Sequence, residues 1–268
     1  GIINVYIQST GDAAMKTLLI QNIASLVSCD DEDRVYENVD LYAENGVIRA
    51  IGQNLDKAAD ETIDARHMLC YPGLINTHHH LYQQFSRNLP QVQNMELFDW
   101  LKTLYEIWKG IDREIVYCSS ALAMTELMKW GCTTAFDHHY VFPKAAGHLL
   151  IDEQFRAADA LGMRFAASRG SMDLSKKDGG LPPDSVVQTV DEILEDSRRL
   201  AAEYHDASFG SMRTLALAPC SPFSVSGELM KQSALLAREL GLRLHTHLAE
   251  TKDEEYYTLA HFGMKPYD

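Results

Sequence analysis

The chain has 268 residues, 46% of them hydrophobic, with 24 basic against 38 acidic side chains and a net charge of -14 at neutral pH. That length and apolar content suit one barrel-sized domain or two small ones, and the acidic balance disfavours nucleic acid and anionic membranes as partners because both repel it. The five cysteines (29, 70, 118, 132, 220) are scattered, odd in number and never spaced Cys-x-x-Cys, which argues against a disulfide scaffold or a thiolate zinc knuckle and fits a reduced, cytoplasmic setting.

Gly1-Ile2-Ile3-Asn4 lacks the basic end and cleavage site of a signal peptide, and without an initiator methionine the natural start is expected to lie elsewhere or to have been trimmed. No stretch approaches the ~18 unbroken apolar residues of a membrane span. Residues 16–69 hold short alternating segments, Thr17 to Ile23, Val39 to Glu44 and Val47 to Ile51, punctuated by Asp30-Asp31 and the turn-forming Asn45-Gly46. They predict a small all-β unit over 1–68.

From residue 69 the rhythm becomes apolar strand, helix, apolar strand. Helices are predicted to end at Gly131, Gly162 and Gly241, each leading directly into a strand. Asp112 is placed to cap a helix with Ile115, Leu122 and Met128 inward, and Ser226 one with Leu229, Met230, Ser233, Ala237 and Leu240 inward. The near-continuous run Thr214-Leu215-Ala216-Leu217-Ala218 suits a parallel strand buried on both faces. Five strands are predicted, at 69–76, 132–138, 163–168, 212–218 and 242–248. The fold class is therefore α/β, a TIM-type (β/α)8 barrel. Such a barrel closes with eight strands, so three more units are expected after residue 268.

Seven of the eleven histidines cluster at 78–80, 138–139, and 245 with 247. Chance alone gives about 0.45 His-x-His pairs at this composition, so two pairs, both at the carboxyl ends of predicted strands, mark one site. Alternation puts His78 and His80 on one strand face and His79 on the other. Neutral imidazoles bind a divalent metal, which lowers the pKa of water towards ~7. Glu250, three residues beyond His247, is placed to move a proton. His79 and His245 are expected in supporting roles, and at most one of His138 and His139 faces the site. Trp100 and Trp108, with Leu97, Leu101 and Leu104, are expected in the core. Glu192, Glu195 and Asp196 are expected on a solvated helix face.

The string Pro72-Gly73-Leu74-Ile75-Asn76-Thr77-His78-x-His80-Leu81, with His245-Thr246-His247-Leu248-Ala249-Glu250-Thr251, resembles the amidohydrolase superfamily in its branch of purine, pyrimidine and triazine aminohydrolases. The resemblance covers nearly the whole chain. It implies a small β-sandwich over 1–68 beside a metal-dependent barrel from 69 to 268. It also implies metal ligands at His78, His80 and His247, and a proton shuttle at Glu250. The branch also uses a histidine after the sixth strand and an aspartate after the eighth, neither assignable here. The fourth strand ends Leu217-Ala218-Pro219-Cys220 without the lysine that bridges two metals elsewhere in the superfamily, which implies one divalent ion, zinc or else iron.

Gln83 matches a glutamine that reads the purine in guanine deaminases, and an amide suits a lactam edge because it both donates and accepts. Cys220 stands where those enzymes carry arginine, which argues against guanine itself. Arg87-Asn88-Leu89-Pro90, Leu97-Phe98-Asp99-Trp100-Leu101 and Ala218-Pro219-Cys220-Ser221-Pro222-Phe223-Ser224 look most like 8-oxoguanine deaminases. The expected activity is hydrolytic deamination of an amino-substituted heterocycle, 8-oxoguanine to urate and ammonia, with metal-activated hydroxide as nucleophile. Hydroxyatrazine-type triazine, pterin and guanine aminohydrolases are the alternatives within this chemistry. A non-catalytic zinc-binding fragment or scaffold is the alternative outside it. The expected partner is a small heterocycle, and homo-oligomers are the general expectation for soluble enzymes.

Overall fold

A computed structural model describes residues 16–268; the expectations for Gly1 to Asn4, and for the first fifteen residues of the all-β unit, lie outside them. The described residues form two compact units. One runs to Leu74 and includes Trp130–Cys132, and the other holds Ile75–Lys129 and Thr133–Asp268.

In the first unit, β1 (Thr17–Val27) pairs antiparallel with β2 (Val35–Glu44), and β2 pairs antiparallel with β3 (Val47–Gly52). Two short strands, β4 (Glu61–Asp64) and β5 (Leu69–Cys70), run parallel to β1. The β2–β3 connection is the predicted Asn45-Gly46 turn, and both residues take the positive φ (51° and 76°) that a type I′ hairpin demands. Alternation sends Leu18, Ile23, Leu26, Val39, Leu41 and Ala43 into one core. The ladder shifts register between Ile20 and Ile23. Buried Asp40 accepts the Asn22 N–H there at 2.8 Å, so the irregularity does not leave that amide bare, and it also accepts the Leu55 N–H of the loop after β3 at 2.9 Å.

The second sheet orders its strands β10-β9-β8-β7-β6, with β6 (Leu74–Asn76), β7 (Cys132–Asp137), β8 (Arg164–Ser171), β9 (Arg213–Pro219) and β10 (Arg243–Leu244). The β7–β8, β8–β9 and β9–β10 pairs are parallel. Between strands lie α1 (Leu97–Trp108), α2 (Arg113–Lys129), α3 (Leu150–Leu161), α4 (Val190–Tyr204) and α5 (Gly227–Leu240), and α6 (Lys252–Phe262) follows β10. Sequential strands joined by helices are the first five units of a (β/α)8 barrel. The three central strands match their predicted spans to within three residues. The outer two do not. Residues 69–76 divide at Tyr71-Pro72-Gly73 into β5, which belongs to the other sheet, and a three-residue β6, while β10 has only two residues. Both β6 and β10 are edge strands of the described sheet, with a ladder partner on one side only.

Capping follows expectation. Asp112 Oδ1 accepts the Ile115 N–H at 2.8 Å, Ser226 Oγ accepts the Leu229 N–H at 3.0 Å, and Gly162 and Gly241 close α3 and α5. The buried face of α2 is displaced from the predicted one: Val116, Ser119, Ser120, Ala123 and Met124 point inward, whereas Leu122 is exposed. Small side chains on that face let α2 pack closely on α3 and on the 3-10 turn at Leu81–Ser86, which outweighs burying one more leucine. Gly170 serves a similar end, because a Cβ there would overlap the His139 carbonyl oxygen.

One acidic residue departs from its predicted setting. Glu192 and Glu195 are exposed, but Asp196 is buried: its Oδ2 accepts from Arg169 Nε at 2.6 Å, and its Oδ1 from Arg199 Nε at 3.0 Å. Arg169 is itself buried on β8, its guanidinium 3.8 Å from the Phe142 ring centroid and bonded to Gln188 Oε1 at 2.7 Å. An arginine cannot shed its charge, so the carboxylate beside it must be buried too. Asp196→Ala is expected to cost about 3–5 kcal/mol, read as a lower urea midpoint at unchanged m-value.

Candidate metal centre

The two short edge strands set the site, because each hands the chain to a loop before its histidines. Beyond β6 come His78 and His80, and beyond β10 come His245 and His247; β7 ends into His138. These five rings form one cluster. His78 and His80 are 4.8 Å apart between centroids, His80 and His247 5.1 Å, and His78 and His247 5.0 Å. His138 stacks on His247 at 4.4 Å and 13°. Nitrogen atoms of His78, His138 and His247 all lie within 4.8 Å of one another. His139 turns away as alternation requires, its Nε2 donating to the Val141 carbonyl at 2.9 Å.

The hydrogen bonds fix which nitrogen carries each proton. His80 Nδ1 lies 2.7 Å from the His138 carbonyl oxygen, and His247 Nδ1 2.8 Å from that of Cys220. A carbonyl can only accept, so each Nδ1 is the protonated atom. Burial first, then the neighbouring His247, pushes His80 down to about 3, and burial likewise lowers His247. Both rings are therefore neutral near pH 7, and each Nε2 is a bare lone pair. Those two lone pairs face each other at 3.2 Å. They repel unless a cation lies between them, and two nitrogens ~2.0–2.1 Å from a tetrahedral zinc ion stand about 3.3 Å apart. The donor set fits a divalent metal. His78 Nδ1 lies 3.1 Å from His245 Nε2, so the leading histidine of the second pair is an outer partner of His78. His138 is fully buried with Nε2 3.2 Å from the Ala218 carbonyl, and its Nδ1 has no partner among the described residues.

Glu250 is exposed, yet its carboxyl is held above the usual carboxylate range by partial desolvation and then by the charge of Glu254. Burial raises Cys220, Tyr105 and Tyr140, with the Glu250 charge as the smallest contributor to each, and the Tyr140 ring is 5.3 Å from His80. Cys220 is buried, its thiol pushed up to about 12 chiefly by desolvation and 3.8 Å from His247 Nδ1. Gln83 and Trp100 line a cavity of about 500 Å³ with His78, His79 and His80. Trp108 is fully buried as predicted, whereas Trp100 faces this cavity. A larger cavity of about 640 Å³ beside Phe142 and Lys144 is lined by none of the candidate residues.

Two supports of the site, Asp137 and Glu254, escape sequence reasoning, and a third is legible only in part. Asp137, fully buried and raised to about 7 by burial, accepts the Leu81 N–H at 2.6 Å and Gln154 Nε2 at 2.6 Å. With the His138 N–H on the His79 carbonyl at 2.8 Å, it ties the His78-to-Leu81 segment to β7. The only advance signal was an aspartate on an apolar strand directly before two histidines. Alternation alone does not choose between His138 and His139. Glu254 gave no signal beyond helix-start acidity.

The amidohydrolase family model matches residues 69–267. The chain belongs to the amidohydrolase family. It is 48% identical over 231 residues to 8-oxoguanine deaminase of Pseudomonas aeruginosa PAO1, covering 85% of this chain and 51% of that protein. It is 37% identical to hydroxydechloroatrazine ethylaminohydrolase of Pseudomonas sp. strain ADP, covering 95% of this chain and 55% of that one. Atrazine chlorohydrolase from Arthrobacter aurescens TC1, solved with zinc, superposes with a TM-score of 0.88 at 32% identity, covering 93% of this chain and 56% of that structure. The amidohydrolase chain thus spans about half the length of the curated relatives it matches. Among the described residues no helix is long and apolar enough to cross a membrane.

Proposed function

We propose that this amidohydrolase is a zinc-dependent deaminase that converts 8-oxoguanine and water to urate and ammonia. The observation that carries the reading is the 3.2 Å approach of two unprotonated Nε2 atoms, on His80 and His247, with His78 beside them. His78, His80 and His247 would hold the ion. When bound, it supplies Lewis acidity that makes water acidic enough to lose a proton near neutral pH. Glu250 takes that proton on a carboxylate oxygen, delivers it to the ring nitrogen beside the reacting carbon, and carries a second to the departing amine. The C–O bond forms as the ring C=N bond opens onto the nitrogen that takes the first proton; the added hydroxyl supplies the second, and as its oxygen becomes the carbonyl the C–N bond breaks and the nitrogen leaves as ammonia.

Gln83, in the adjoining cavity, presents an amide to the lactam edge, while Cys220, neutral as a thiol, brings no charge that would favour an anionic substituent. The 48% identity to an 8-oxoguanine deaminase supports the substrate. A triazine substrate is the second reading, supported by the 37% relative and the triazine-hydrolase superposition. Ammonia release by the zinc-loaded native protein decides between them: 8-oxoguanine should give the highest kcat/KM. A higher value on a hydroxytriazine or an oxidised pterin replaces the substrate, and none on any of them removes the activity.

A further inference from the structure

We propose that Glu254 is a positioning residue that holds the loop bearing Glu250 in its working geometry; this rests on the reading of Glu250 as proton carrier. Three acids occupy the first turn of α6, Asp253, Glu254 and Glu255, and of these only Glu254 is fully buried. A helix start is served equally well by exposed carboxylates, so capping does not explain the burial. Its two oxygens reach back past Thr251, the residue that opens the helix. Oε1 accepts the Ala249 N–H at 2.9 Å and Oε2 the Glu250 N–H at 2.7 Å. A common capping box would bind the N–H of the opening residue instead.

The loop needs such a hold. Ala249 sits at φ 57°, in the left-handed region that residues other than glycine seldom occupy. No lysine or arginine pairs with Glu254 among the described residues, so the two loop amides and the helix's own positive end are what meet its charge. The bonds are charge-assisted, short and made to consecutive amides, which fixes the peptide plane between Ala249 and Glu250 and with it the direction in which the Glu250 side chain departs.

Glu254→Gln keeps the shape but offers one acceptor where there were two. In the zinc-loaded native protein, hydrogen exchange at the Ala249 and Glu250 amides should rise about tenfold or more. The kcat should fall about 100-fold with KM within about threefold and zinc content unchanged, as a small misplacement of a proton carrier does. Asp253→Asn removes a charge from the same turn without touching the loop and should leave exchange and kcat at parental values. Unchanged exchange in Glu254→Gln, freed amides with parental kcat, or an equal loss in Asp253→Asn would each overturn the proposal. Absence of deamination in the parent would strike the role of Glu250 instead, while exchange still reads the hold of Glu254 on its own.

Discussion

Glu250→Gln is expected to lower kcat for deamination by about 100 to 10,000-fold while zinc content and melting temperature stay at parental values. Glutamine has nearly the same volume, and the backbone N–H that anchors residue 250 to Glu254 is untouched, so the substitution removes the transferable proton and little else. The environment argues for such a role. The carboxyl is raised by partial desolvation and then by Glu254, so more of it stays protonated as pH rises than in an ordinary glutamate, which keeps a proton at hand for a departing amine. The sign on activity follows: as pH falls through that raised pKa the carboxylate is lost as a proton acceptor, so the acid limb of kcat should lie above the ordinary glutamate range. Parental turnover in the variant would remove Glu250 from the reaction.

Loss of His80 or His247 is expected to have an effect of comparable size, but on the metal first. His80→Ala or His247→Ala leaves one lone pair where two had faced each other at 3.2 Å, and zinc affinity, read by competition with a chromophoric chelator, should collapse. His245→Ala removes only the outer partner of His78, at 3.1 Å, and should cost about 10–100-fold in affinity. The ordering is the test. A His80→Ala protein that binds zinc as tightly as His245→Ala does would mean that the ion is held elsewhere in the cluster. Stripping zinc from the parent should lower its melting temperature, because the ion binds only the folded arrangement of rings.

Much of this was legible in the chain because it is local. The glycines at 162 and 241, the capping residues 112 and 226, and the Asn45-Gly46 turn each act over a few residues, and the structure uses them as written. The central strands β7, β8 and β9, flanked on both sides, declare themselves as apolar runs. The convergence of the imidazoles at 78, 80 and 247 followed from strand ends meeting at one rim. What stayed hidden depends on partners distant in sequence. Nothing near Asp196 announces that Arg169, 27 positions earlier, will be buried against it. Periodicity could not choose between Leu122 and the small residues of α2, because that choice is made by how closely α3 approaches. Nor could it show that β6 and β10 would be so short, since strand length depends on ladder partners rather than on composition.

Position 220 divides its labour between main chain and side chain. The carbonyl of Cys220 accepts both the N–H and the Nδ1–H of His247, at 2.9 and 2.8 Å, whereas the thiol has its own buried neighbours. Any amino acid at this place would offer the same oxygen. A substitution at 220 therefore leaves in place the acceptor that sets the tautomer of the adjacent ring, an independence a side-chain anchor would have forbidden.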